Sequence, residues 1–111
     1  MIQLTIKDLL DAIPALEALS GVKLDDGVVA FRVAKILRLL NDELADFNVA
    51  RSNLAERYDL ESEEFAVAFN GLLKEEITLP VAKIPVTAFN SVQLTIGDFM
   101  RLDFMLEDVD D

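Results

Sequence analysis

The sequence contains no cysteine, no histidine and no tryptophan. Without cysteine, the chain can form no disulfide and offers no thiolate to a metal ion. Without histidine, it lacks the side chain that most often transfers protons or binds metals near neutral pH. We therefore expect no catalytic residue, no cofactor and no metal site.

Motifs for nucleotide or acyl chemistry are missing as well. The four glycines are isolated, so the chain has no glycine-rich loop of the kind that holds phosphates. No serine stands in the context of a nucleophile elbow. The sequence therefore gives no positive support for an enzyme.

Acidic residues occur in pairs, which raises the possibility of acid–base catalysis or cation binding. The pairs are Asp25–Asp26, Glu63–Glu64, Glu75–Glu76 and Asp110–Asp111. Sequence neighbours on a helix point about 100° apart, so such carboxylates do not face each other. Asp42 and Asp46 do share a helix face and could hold a hard cation with Glu43 nearby. Two carboxylates one turn apart are also an ordinary surface feature, and we favour that interpretation.

Basic residues are scarce, because 10 Lys and Arg oppose 21 Asp and Glu, for a formal net charge of -11. Residues 1–58 hold nine acids and seven bases, whereas residues 59–111 hold twelve acids and three bases. Such a charge repels phosphates, so we expect no direct nucleic-acid binding and no membrane binding. It is compatible with a basic protein partner, and equally with a charge that only keeps a small protein soluble.

Long hydrophobic runs are also absent. No stretch approaches the roughly twenty apolar residues of a membrane span, and the N-terminal segment does not have the pattern of a signal peptide. We therefore expect a cytoplasmic protein. The apolar fraction is nevertheless 52% over 111 residues, which suits a single domain with a real core.

The strongest pattern in the chain is an apolar stripe with alternating steps of three and four residues. Its members are Ala30, Val33, Leu37, Leu40, Leu44, Phe47, Leu54 and Tyr58. This spacing predicts one continuous helix over 26–58, capped by Asp25 or Asp26. The stripe is broad before Asp42 and narrow after it, which predicts burial on two sides and then on one, as in the arm of a helical hairpin.

Charged residues are also ordered along this helix. Three bases, Arg32, Lys35 and Arg38, are followed by three acids, Asp42, Glu43 and Asp46. We interpret them as a charge-segregated helix face whose bases find a partner in the acidic C-terminal half. Arg51 lies within the apolar stripe, where it could set the register of packing or lay its stem along the surface.

Other helix starts are marked by capping signals. Thr5 with Asp8 and Thr95 with Asp98 each fit a capping box, and the segment LTIKDLL at 4–10 is echoed by LTIGDFM at 94–100. We interpret the echo as one helix-start solution used twice. Ser62 followed by two acids predicts a helix over 61–75, and a last helix is predicted over 96–106.

Between these helices the pattern becomes extended. Apolar residues alternate from Ile77, while Pro80 and Pro85 confine the chain to edge strands. A small β element over 77–87 is predicted, either as an edge hairpin or as a strand beside Val22–Leu24. The chain closes on an acidic tail over 107–111.

The order of these segments resembles that of small acidic helical proteins of unknown function encoded by tailed bacteriophages or prophages. The likeness covers most of the chain and rests on LLDAIPALEAL, FRVAKILRLLNDELADFNVARSNLAERY, EEITLPVAKIPV and LTIGDFMRL. These motifs are structural. The resemblance implies a viral origin, with the host cytoplasm as location, and it implies no functional residues.

The predicted fold is mainly α. In a single domain over 1–111, a long antiparallel helical hairpin is flanked by N- and C-terminal helices and a small β element. The leading function is a non-enzymatic interaction or assembly protein that acts on itself, most simply as a homodimer, or on a protein partner. The alternative is an acidic mimic of nucleic acid that inhibits a host DNA- or RNA-binding protein.

Interface candidates are apolar residues that a small chain has difficulty covering. They are Phe99, Phe104, Met105, Leu106, Phe47 and Leu54. Residues 102–106 are apolar nearly all round, so we expect an exposed anchor there. An interface at this end, or in the near-neutral first half, would keep the acidic residues 59–64 of two copies apart.

Overall fold

The computed structural model describes residues 1–89 and 92–107. Within those ranges the chain is mainly helical, with two small sheets. The α-helices are α1 (Ile6–Ser20), α2 (Gly27–Arg57), α3 (Glu63–Leu73) and α4 (Ile96–Arg101). The strands are β1 (Ile2–Thr5), β2 (Glu76–Leu79), β3 (Ile84–Pro85) and β4 (Leu106–Glu107), and 3-10 helices span Val86–Phe89 and Asp103–Met105.

The long helix α2 confirms the prediction to within one residue at each end. The Asp26 carboxylate caps it by accepting the backbone N–H groups of Val28 at 2.9 Å and Val29 at 3.4 Å. At 1.5 Å per residue, its 31 residues span about 46 Å. That length accounts for the long dimension of the molecule, which measures 49 × 24 × 22 Å.

The predicted capping boxes are confirmed at both ends of the chain. The Thr5 hydroxyl accepts the Asp8 N–H at 3.2 Å, and the Asp8 carboxylate accepts the Thr5 N–H at 3.0 Å. Thr95 and Asp98 repeat the arrangement at 3.0 and 3.2 Å. Ser62 caps α3 through the Phe65 N–H at 3.1 Å. Helix α1 continues through Pro14, which stands inside it.

The β pairing differs from the prediction in both sheets. Strand β2 pairs antiparallel with β1, with Ile2 opposite Leu79, and not with Val22–Leu24, which is irregular. The edge hairpin is also wrong, because β3 pairs in parallel with β4. Buried side chains explain the first outcome: β1 and β2 each alternate buried with more exposed residues, so their pairing places both apolar rows on the core.

The last helix ends at Arg101 and not at 106. Leu102 and Met105 are 1% and 0% exposed, and Leu106 is buried at 9%. A straight surface helix cannot bury residues that point to all its sides. The chain instead tightens into a 3-10 turn and then extends as β4, which brings all three side chains into the core. Apart from Glu107, the predicted acidic tail lies outside the described residues.

The core lies between α1, the first half of α2 and the β1–β2 sheet. Ile36 and Leu40 of α2 are each 1% exposed. Beyond Phe47, α2 has no fully buried residue, and neither has α3, both helices being described throughout. The two helices meet where the Phe47 and Phe69 rings pack with their centroids 6.2 Å apart.

Candidate functional site

The predicted interface residues lie mostly inside the monomer. Met105 is fully buried, and Phe47 and Leu106 are 4% and 9% exposed. These three side chains belong to the core of the monomer and offer little surface to a partner. Their apolar character reflects the need to close that core, and the exposed anchor expected over 102–106 does not exist.

The other three predicted residues are half-buried. Phe99 and Phe104 pack against the core from its edge. Leu54 is half-buried on the distal half of α2. A half-buried side chain on a core edge offers little apolar area to a partner, so none of these three dominates the surface.

Large apolar side chains are exposed elsewhere. Among the residues that the structure describes, those more than 60% exposed are Met1, Val28, Phe31, Val49, Leu60, Val67, Ile96 and Met100. Sequence reasoning missed them as interface candidates because it followed the stripe that packs inward. The signal that could have found them is the presence of large apolar residues outside the inward-facing stripe of a long helix.

Two of these residues, Phe31 and Val49, lie on one side of α2. We define the outer face of α2 as Phe31, Ala34, Arg38, Asp42, Ala45 and Val49, all of which are exposed. Their steps of three and four residues keep them within a sector of about 80°. That sector lies opposite the buried Ile36 and Leu40, so the outer face points away from the core.

Charges on α2 change sign along its length. Arg32, Lys35 and Arg38 are exposed before Leu40, and Asp42 and Asp46 are exposed after it, with Glu43 half-buried. The segment 27–49 therefore has no net charge, although the whole chain carries -11. Helix α2 thus presents a locally neutral surface in a strongly acidic protein.

Arg51 lies along the inner side of the distal helix. Its guanidinium carbon is 6.0 Å from the centroid of the Phe47 ring, at the outer limit of a cation–π contact, and the side chain is exposed. This placement matches the interpretation in which the stem follows the surface and the charged head reaches water.

Two grooves of the molecule are lined mainly by apolar residues. One of about 260 Å³ lies between α1 and α2, lined by Leu9, Ile13, Leu37 and Leu44 among others, with Glu17, Ser20 and Asn41 as its polar groups. A second, of about 340 Å³, lies between the start of α2 and residues 80–82 and includes Phe31, Arg32 and Lys35.

In the first groove the Ser20 hydroxyl donates to the backbone carbonyl of Glu17 at 2.7 Å. Over residues 1–89 and 92–107 the core holds no buried polar or charged residue, and no three acidic side chains gather where they could hold a metal ion.

Two further findings frame the function. In the described part of the chain, no helix combines the length and apolar character needed to cross a membrane. Compared with protein-family models, curated proteins and solved structures, the chain has no match.

Proposed function

We propose that this protein is a non-enzymatic interaction or assembly protein that acts through self-association as a two-fold homodimer. The observation that carries the proposal is the outer face of α2, where Phe31 and Val49 are 69% and 62% exposed on one side of the same helix. These two side chains stand at either end of one exposed helix face, where a single elongated partner would cover both.

The shape of the molecule supports the same proposal. A compact domain of this length has a radius of gyration of about 13 Å, whereas the Cα radius here is 16.0 Å. The excess comes from α2, whose distal half packs on one side only. An elongated chain exposes more surface than its core requires, and a second copy can cover part of it.

We further propose that α2 and α3 form an antiparallel hairpin arm. Its support is the aromatic contact between the two helices, in which the centroids of the Phe47 and Phe69 rings are 6.2 Å apart. In the same proposal, the protein is of phage or prophage origin and works in the host cytoplasm as an accessory factor.

Sedimentation equilibrium at low and high salt tests self-association. We expect a dimer that persists or strengthens as salt rises, because a Debye length of about 10 Å at 0.1 M shortens further and screens the repulsion between acidic copies. If the protein is a monomer in both conditions at a concentration of roughly tens of micromolar, the homodimer is ruled out. Binding to a different protein would then be the mode of action.

The alternative function, an acidic mimic of nucleic acid, is favoured by a specific cluster. Around the turn between α2 and α3, Glu56, Asp59, Glu61, Glu63 and Glu64 are all exposed. Such carboxylates could take the place of phosphates on a host DNA- or RNA-binding protein. Pull-down from host lysate with mass spectrometry would identify the partner. The salt dependence of binding then distinguishes the two functions, because binding by a mimic weakens steeply with ionic strength whereas apolar assembly does not.

A further inference from the structure

The outer face of α2 is mirror-symmetric about the level of Leu40. Moving outward from that level, Arg38 corresponds to Asp42, then Ala34 to Ala45. At the ends Phe31 corresponds to Val49, 18 residues away, or about 27 Å along the helix. Apolar residues stand at both ends, the alanines lie six and five residues from Leu40, and the charges beside the centre are opposite.

We propose that two copies of this chain pair antiparallel through the outer faces of α2, with Arg38 of each copy against Asp42 of the partner subunit. The inference rests on the proposed self-association and specifies its surface and register. A two-fold axis near Leu40 places each residue of the face opposite the residue at a similar distance beyond Leu40 in the other copy. Both copies then use the same surface, as an isologous interface requires.

The side chains of the outer face suit this register. The two alanines, Ala34 and Ala45, face each other on either side of the centre and let the helix axes approach to about 8–10 Å. At each end, Phe31 meets Val49 of the partner subunit, and the contact covers two apolar side chains that are more than 60% exposed in the monomer. Burial of these apolar side chains favours association, and the small alanine side chains allow the helices to approach closely.

Charge selects the direction of pairing. An antiparallel pair places the exposed bases before Leu40, such as Lys35, beside the exposed acids after it, such as Asp46, in both halves of the interface. A parallel pair would place like charges side by side, which is repulsive at interhelical distances. The neutral segment 27–49 is thus the part of an acidic chain where two copies approach without a charge penalty.

The same arrangement separates the most acidic turns. Residue 57 ends α2 at 17 residues from the axis, so the two helix ends of a dimer lie about 51 Å apart. That distance is several Debye lengths at physiological salt, where the length is about 8 Å. The acidic residues 59–64 of the two copies therefore do not oppose the pairing.

Two charge reversals, examined alone and mixed, test the inference. In Arg38→Asp both central positions of the outer face are acidic, and in Asp42→Arg both are basic. Each variant alone repels its own copy twice, so we expect its dissociation constant to rise by about 10- to 100-fold. An equimolar mixture restores opposite charges at both contacts, and we expect a heterodimer as strong as the natural dimer.

The control is Arg57→Asp, which changes the net charge equally on an exposed residue of α2 outside the outer face. It should shift the dissociation constant by less than about twofold. Sedimentation velocity gives the association state, and far-UV circular dichroism reports that each variant stays helical. A natural chain that dimerises while both reversals dimerise equally well overturns this register and leaves self-association standing. A monomeric natural chain overturns both.

Cross-linking gives a second measurement with its own control, because the natural chain has no cysteine. Mixed Ala34→Cys and Ala45→Cys chains should form a disulfide-linked heterodimer under mild oxidation, since the two positions face each other across the axis. Each variant alone places its thiols about 15–18 Å apart along the helix, beyond the Cα separation of about 7 Å that a disulfide tolerates. Equal cross-linking in the separate samples would contradict the register.

Discussion

Helix α2 has two faces that can be compared residue for residue. On the inner face, Ile36 and Leu40 are each 1% exposed, whereas on the outer face Phe31 and Val49 are 69% and 62% exposed. Both faces follow the same spacing of three and four residues. The buried residues of the inner face are all apolar, whereas the outer face carries Arg38 and Asp42 at its centre. The same spacing therefore occurs on a buried and on an exposed face, so spacing alone does not identify the core side of the helix.

The largest effect should come from breaking the inner face. We expect Leu40→Ala to lower the free energy of unfolding by about 2–5 kcal/mol, because it removes a buried side chain and leaves a cavity. Denaturant melts measure this loss. The matched change Val49→Ala on the outer face should cost less than about 0.5 kcal/mol in the monomer. A loss below about 0.5 kcal/mol for Leu40→Ala would show that this face is not the core.

A smaller effect should come from breaking the outer face. We expect Phe31→Ala to weaken dimerisation by about tenfold or more, since it removes the largest exposed apolar side chain of that face, and to leave monomer stability within about 0.5 kcal/mol. Sedimentation velocity and dilute denaturant melts separate the two quantities. Val67→Ala is the control, because Val67 is 68% exposed on α3. If Val67→Ala weakened the dimer and Phe31→Ala did not, the contact would lie on the arm.

The cap of α2 supports both faces at once. We expect Asp26→Ala to cost about 1 kcal/mol of stability, because the Asp26 carboxylate accepts two backbone N–H groups at the start of the helix. The neighbouring Asp25→Ala should have almost no effect, since Asp25 is exposed and is not the capping residue. Thermal or denaturant unfolding measures both. Equal losses for the two variants would mean that charge, and not the capping bond, stabilises the helix start.

The smallest expected effect is none at all. We expect titration with zinc to give no binding heat, because the chain has no histidine or cysteine and, among the described residues, no three acidic side chains gather where they could hold a metal ion. Isothermal titration calorimetry is the measurement. A stoichiometric transition-metal site of micromolar affinity or tighter would contradict this expectation, whereas a weak calcium response would not.

Features set by neighbouring residues could be predicted from the sequence. The cap at Asp26, the length of α2 and the two Thr–Asp capping boxes depend on groups no more than one or two turns apart. The helical character of the chain followed from them. The burial of Leu40 also followed, since it lies at the centre of the widest part of the apolar stripe.

Features that join distant parts of the chain could not be predicted. The partner of Ile2 is Leu79, and the partner of Leu106 is Ile84, pairings that local preference does not encode. Because β4 was not foreseen, the apolar residues near Met105 were interpreted as a surface when they complete the core. The residues of the outer face of α2 were likewise not among the predicted interface residues.

The pairing of β1 with β2 also has a consequence for the order of events during protein synthesis. Strand β1 ends at Thr5, and its partner is complete only at Leu79. At about 5–20 residues per second, a ribosome needs about 4–15 s to cover that interval. During those seconds α1 and α2 can form from local contacts, while Ile2 and Leu4 remain without the strand that covers them. The residues of α2 are therefore synthesised, and can become helical, before β1 can pair with β2.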